Sequence, residues 1–277
     1  MSSIFTTLQK LAPQHALSRL AGHVASSQSP ILKSLLINQF SKIYKVDLSE
    51  AQRSDPADYK SFNDFFTRTL APDARPMVDR EELLACPADG QVSQAGRIEQ
   101  GQLLQAKGHT YSLNSLAGVL AEGFDGGDFC TIYLAPKDYH RIHLPFSGRL
   151  NATLAIPGAL FSVNGHTENN ISGLFARNER LVCRFETPFG PMLIILVGAM
   201  IVASIATDWE GPQSPYQREI LTHYDLSYRR GDSIGQFLLG STVICCFPPN
   251  TVELAQTIKT GNTVRMGQAL GSVTPNP

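Results

Sequence analysis

At 277 residues, with 43% apolar and 17% charged side chains, the chain can bury a proper core, which excludes a disordered protein. Its net charge of −1 hides an asymmetry. Residues 1–45 hold Lys10, Arg19, Lys33, Lys42 and Lys45 and no acid, so the remainder carries −6. This balance gives no reason to expect nucleic acid as a partner, and it suits only the basic end to an anionic surface.

Pro13 and Pro30 divide the first 45 residues into short helical candidates. In the last of them Leu32, Leu35, Leu36, Phe40 and Ile43 recur at helical spacing, with Lys33 and Lys42 off the stripe; the one before repeats the pattern with Ala16, Leu17 and Leu20 beside Arg19. Such helices can pack on their own domain or lie on a bilayer, and the missing acids favour the bilayer. Residues 46–80 are polar, with Phe62, Phe65 and Phe66 as a packing cluster. From Leu83 onward short β-like runs alternate with Gly, Pro, Asn and Asp turns: Gln91–Ile98, Cys130–Leu134, Gly148–Ile156, Arg180–Glu186 and Gln236–Phe247. The run Met192–Ala206 is shorter than the roughly 20 residues of a spanning helix, and its β-branched content predicts two buried strands or one bent one. No signal peptide is expected. Five cysteines without a CxxC pattern predict buried, reduced thiols, a cytoplasmic setting and no metal site. The expected fold class is α+β. An amphipathic, membrane-associating helical segment (1–45) precedes a β-rich, mainly antiparallel single catalytic domain (46–277).

Three motifs carry chemistry. In GDSIGQFLLGSTVICCF (231–247), Gly240 can take backbone angles that expose its carbonyl to the Ser241 hydroxyl. A Gly-Ser step in an apolar strand is also the signature of a bulge or tight bend, so spacing alone leaves both open. In Tyr139-His140-Arg141-Ile142-His143-Leu144-Pro145, the flanking prolines oppose a helix. Residues three apart in an extended segment face opposite ways, which predicts two separate roles for the histidines over one shared metal. A polar loop with one buried histidine fits equally well. Pro87-Ala88-Asp89-Gly90 is a turn that needs no chemistry to explain it. A carboxylate there could also orient an imidazole, so Asp89, His143 and Ser241 can be drawn as acid, base and nucleophile.

These segments resemble the bacterial type of phosphatidylserine decarboxylase proenzyme. The matching stretches are FNDFFTRTLAPDARP (62–76), PADGQV (87–92), YLAPKDYHRIHLPFSG (133–148), FSVN (161–164), LFARNER (174–180), VGAMIVASI (197–205), GDSIGQFLLGST (231–242) and VRMGQALG (264–271). The resemblance implies cleavage between Gly240 and Ser241 into chains 1–240 and 241–277, with Asp89, His143 and Ser241 serving self-processing. It further implies a covalent pyruvoyl cofactor made from Ser241. Phosphatidylserine would bind it as a Schiff base and lose CO₂ to give phosphatidylethanolamine, His140 serving decarboxylation. Phe161, Ser162, Val163 and Asn164 would contact the substrate. The enzyme would be a homodimer, peripheral on the cytoplasmic face of the inner membrane. Three rivals are a pyruvoyl decarboxylase of a soluble amino acid, a serine hydrolase using the same three residues without a GxSxG elbow, and a non-enzymatic carrier-like β module.

Overall fold

The computed structural model describes residues 9, 13–199, 205–212, 215–238 and 241–274. Its centre is an eight-stranded antiparallel sheet whose strands run, edge to edge, Ile220–Tyr228, Gly148–Ile156, Arg180–Thr187, Gly190–Val197, Ser241–Phe247, Asp128–Leu134, Gly90–Arg97 and Thr263–Val264. The Ser241–Phe247 strand is interior to this sheet, and every side chain along it is buried. Alternation sends Val243, Cys245 and Phe247 into one apolar core and Ile244 and Cys246 into another on the opposite face. Burial on both faces is why the strand reads as a continuous apolar run.

The first core is closed by two smaller sheets. One pairs Arg141–His143, Ser233–Phe237, Ile205–Thr207 and Gly211–Pro212; the other pairs Leu83–Ala85, Ala269–Val273 and Val252–Leu254. The second core is covered by the short helices Leu113–Ala117 and Leu174–Arg177 and by the loop holding Phe161 and Val163. The α+β class is therefore borne out, and the cysteines are buried and free. The expected strand Gln236–Phe247 is two strands in different sheets: Ser233–Phe237 pairs with Arg141–His143, whereas Ser241–Phe247 pairs with Asp128–Leu134. Hydrophobicity persists across the junction because both sheets face one core, so only the Gly240-Ser241 step, which left a bend open, marks the change in sequence. Residues 190–197 and 205–207 form two separate strands, as the apolar run predicts.

Helix α1 (Gln14–Ala25) buries Gln14, Ser18, Gly22 and Ala25 and turns Leu17, Leu20 and Val24 outward. Helix α2 (Pro30–Tyr44) buries Ile37 and packs Leu36 and Phe40 against Phe62, Phe65 and Phe66 of helix α3 (Phe62–Phe66). The expected aromatic cluster is present, with Tyr59 in it. The expected α2 stripe splits: Leu36 and Phe40 face inward, whereas Leu35 and Ile43 are exposed. Lys33 spends its ammonium on the carbonyls of Ala57 and Tyr59, leaving Arg19, Lys42 and Lys45 as the exposed bases of this segment among the described residues.

Candidate active site

Ser241 opens its strand opposite Leu134, and Thr242 stands opposite both Tyr133 and Val197. The Ser241 side chain is completely buried and its Oγ has no hydrogen-bond partner; the same holds for the Thr242 hydroxyl. Buried hydroxyls ordinarily find partners, and Ser241 shares its lack of one with Thr242, Thr131 and Tyr111. Gly240 lies outside the described residues.

Asp89 enters from the next strand. Gln91 pairs with Tyr133, which puts the Pro87–Gly90 turn at the same end of the sheet as Ser241, one strand beyond Leu134. Gly90 is required there because a Cβ would stand 2.3 Å from the Tyr133 carbonyl oxygen. The Asp89 carboxylate accepts from Arg75 Nε at 2.9 Å and Nη2 at 2.5 Å, and from the Met266 N–H at 2.9 Å. Arg75 also reaches Glu50, which in turn binds Arg265. The carboxylate on Arg75 holds that guanidinium's pKa well above its usual value.

His143 is tied to the same turn through its backbone N–H, which donates to the Pro87 carbonyl at 2.9 Å. Its ring Nδ1 lies 2.8 Å from the Gly231 carbonyl oxygen, which can only accept. Nδ1 therefore carries the hydrogen, and Nε2 is left to accept from the Tyr139 hydroxyl at 2.9 Å. Tyr139 also stacks on the ring. Burial lowers the pKa of His143, so the neutral base is favoured. No hydrogen bond joins Asp89, His143 and Ser241 to one another in this state; they share one end of the fold through backbone pairing.

His140 is fully buried and occupies different surroundings. Its Nδ1 donates to the Asp138 carbonyl at 2.8 Å, and its ring lies 4.1 Å from that of Phe66. Nε2 has no partner, and burial pushes the pKa down to about 3. The candidate substrate residues are engaged within the protein: Phe161 sits in the second core, Ser162 Oγ accepts from Asn164, and Asn164 Oδ1 caps the following turn. Asn178 bonds both Phe161 and Gly198, and Gly198 stands one position beyond the Val197–Thr242 pair.

The family model described as phosphatidylserine decarboxylase matches residues 62–272, and a shorter one, described only as PSD, matches 4–45. The chain belongs to the phosphatidylserine decarboxylase family. Relatives named phosphatidylserine decarboxylase proenzyme include those of Alcanivorax borkumensis (49% identical, covering 98% of this chain and 96% of the relative), Ectopseudomonas mendocina (50%, 97% and 98%) and Bordetella avium (49%, 96% and 94%). The resemblance carried by the sequence motifs is thus borne out, and the chain is a decarboxylase by family. All the candidate site residues fall inside the longer match.

Several residues around the site had no role assigned from sequence. Tyr139 occupies His143, Arg75 holds Asp89, and Arg68 runs beneath the His140 loop. Glu179 is a further buried carboxyl, accepting from the Tyr216 N–H at 2.8 Å. Its carbonyl bonds the Gly198 N–H, so Ser241, Gly198 and Glu179 form a row across three adjacent strands and share a face. All four residues lie in or beside the quoted motifs. Only the partners they meet in space distinguish them from ordinary surface charges and aromatics.

Proposed function

We propose that this decarboxylase cuts its own chain between Gly240 and Ser241, makes a pyruvoyl group from Ser241, and uses it to decarboxylate phosphatidylserine. The observation that carries this reading is the buried, unpartnered Ser241 hydroxyl at the first position of an interior strand. A nucleophile there is desolvated and pinned by strands on both sides. His143, whose unprotonated Nε2 the tautomer leaves as a base, takes the hydroxyl proton once the Tyr139 hydroxyl turns away from it. Oγ then bonds to the Gly240 carbonyl carbon and the peptide C–N bond breaks, the freed nitrogen taking a proton. Loss of the Cα proton expels the Gly240 carboxylate from Cβ. The resulting enamine becomes an imine, and water hydrolyses it to the pyruvoyl group and ammonia.

Decarboxylating an amino acid leaves a carbanion that no ordinary side chain delocalises; the pyruvoyl carbonyl supplies the electron sink. The chain's own residues do the rest. The strand holds that group at its first position, and His140 offers Nε2 for proton transfer at the product carbon. Arg75 holds the Asp89 carboxylate in place within the turn that anchors His143. Peripheral binding at the cytoplasmic face of the inner membrane belongs to the same reading, and the outward apolar residues of α1 and α2 support its membrane part.

The test is the Ser241→Ala chain. It should run as one band on a denaturing gel, whereas the parent yields two fragments, the smaller beginning with a carbonyl-blocked residue by mass. A Ser241→Ala chain that still divides refutes the scheme.

A further inference from the structure

Among the described residues, Arg68 and Arg180 are buried and the side chain of Arg75 is largely covered; Arg75 and Arg180 are fully provided for. Arg75 holds two carboxylates, and Arg180 donates from all three of its nitrogens to the carbonyls of Leu116, Asn178 and Ser115. Arg68 is the exception. It is 4% exposed, forms no ion pair, and bonds only through Nη2, to the carbonyl oxygens of Lys137 at 2.9 Å and Asp138 at 3.4 Å. Its Nε and Nη1 have no partner. A guanidinium keeps its charge in any protein setting, so a dry, unmatched one is costly unless an anion comes to it.

Its surroundings say which anion. The Asp138 carbonyl that Arg68 touches also accepts from His140, whose Nε2 is the other unpartnered group of this loop. On its other side Arg68 follows helix α3, with its guanidinium 5.7 Å from the centre of the Phe65 ring. Helix α3 packs through Phe62 and Phe66 on Phe40 of α2, the helix that exposes Ile31, Leu35 and Ile43. Arg68 therefore stands beside the His140 loop at the end of α3, the helix whose Phe66 joins Phe40 of α2 to the His140 ring. In a serine phospholipid the phosphodiester stands between the glycerol left in the bilayer and the amino acid head.

We propose that Arg68 is the residue that receives the phosphodiester oxyanion of the lipid substrate, placing the headgroup against His140. This rests on the decarboxylase reading above. It makes Arg68 the part of the site that distinguishes a phospholipid from free serine.

The experiment compares Arg68→Gln and Arg68→Lys with the parent on short-chain phosphatidylserine. Both variants should still divide at Ser241. Arg68→Gln should raise KM roughly 30-fold with kcat little changed, because the contact is made equally in ground and transition states, and lysine should recover part of the loss. Phosphatidylethanolamine keeps the phosphodiester and lacks the carboxylate, so its inhibition should weaken by the same factor. A raised KM with unchanged inhibition would assign the arginine to the carboxylate and overturn the phosphodiester; an unchanged KM in a divided, folded variant would remove Arg68 from binding altogether. A third arm needs neither variant nor turnover: calorimetric binding of phosphatidylethanolamine to the parent against its neutral methyl phosphotriester. Equal affinities overturn the proposal even if Arg68→Gln fails to fold or the parent proves inactive on phosphatidylserine.

Discussion

His140 and His143 stand three positions apart, yet the chain gives them opposite circumstances. His143 has both ring nitrogens engaged, whereas His140 has one nitrogen on a carbonyl and the other bare. An extended backbone separates their directions, as the flanking prolines suggested. What the spacing could not show is that His140 is entirely buried against Phe66, nor that its pKa falls to about 3. At neutral pH the imidazole is thus uncharged and its Nε2 can accept. Delivering a proton requires first acquiring one, favoured when an anionic headgroup arrives. His140→Gln is expected to divide normally and to lose about 100-fold in decarboxylation, measured as CO₂ release; a normal rate would take His140 out of the reaction.

Among the elements, the strand Arg180–Thr187 is chosen for its place rather than its chemistry. It brings Glu179 within two strands of Ser241, with Gly198 between them. LFARNER is visible as a motif, but nothing in the sequence assigns its acid to the Ser241 face; the register does. Burial lifts the Glu179 carboxyl to about 7, above the 4.5 it starts from. A folded pKa above the unfolded one means the folded state holds the proton longer. Stability contributed by the neutral form is whole below pH 4.5 and is lost as pH rises toward 7. Glu179→Gln should therefore gain stability relative to the parent by on the order of 2 kcal/mol between pH 5 and pH 8, read from urea midpoints. A constant difference across that range would show that the carboxyl titrates normally.

At the scale of the whole molecule, the helical end is turned inside out. Helix α1 packs its small and polar residues on the body and shows Leu17, Leu20 and Val24 to the outside; α2 adds Ile31, Leu35 and Ile43. No described helix is long and apolar enough to cross a membrane. An exposed apolar face beside Arg19, Lys42 and Lys45 fits the surface of an anionic bilayer. The same helices share an aromatic core with α3, so deleting residues 1–45 would strip the body as well as the docking face. Leu20→Glu with Leu35→Glu is the cleaner test. Sedimentation with anionic vesicles at physiological salt should show binding at least tenfold weaker while the chain still divides; undiminished binding would place the docking surface elsewhere.

The class of fold, the buried thiols, the aromatic cluster and, through the order of its motifs, the family were all legible in the order of residues. They depend on local periodicity, turn chemistry and unusual residue neighbours, which a linear chain displays. The tertiary structure alone decided where the Gln236–Phe247 run breaks between sheets, which arginine meets a carboxylate and which does not, and which way the N-terminal helices face. Those outcomes hang on pairing and burial between residues far apart in the chain. A charge, a hydroxyl or a leucine looks the same in sequence whether or not its partner is waiting for it in space.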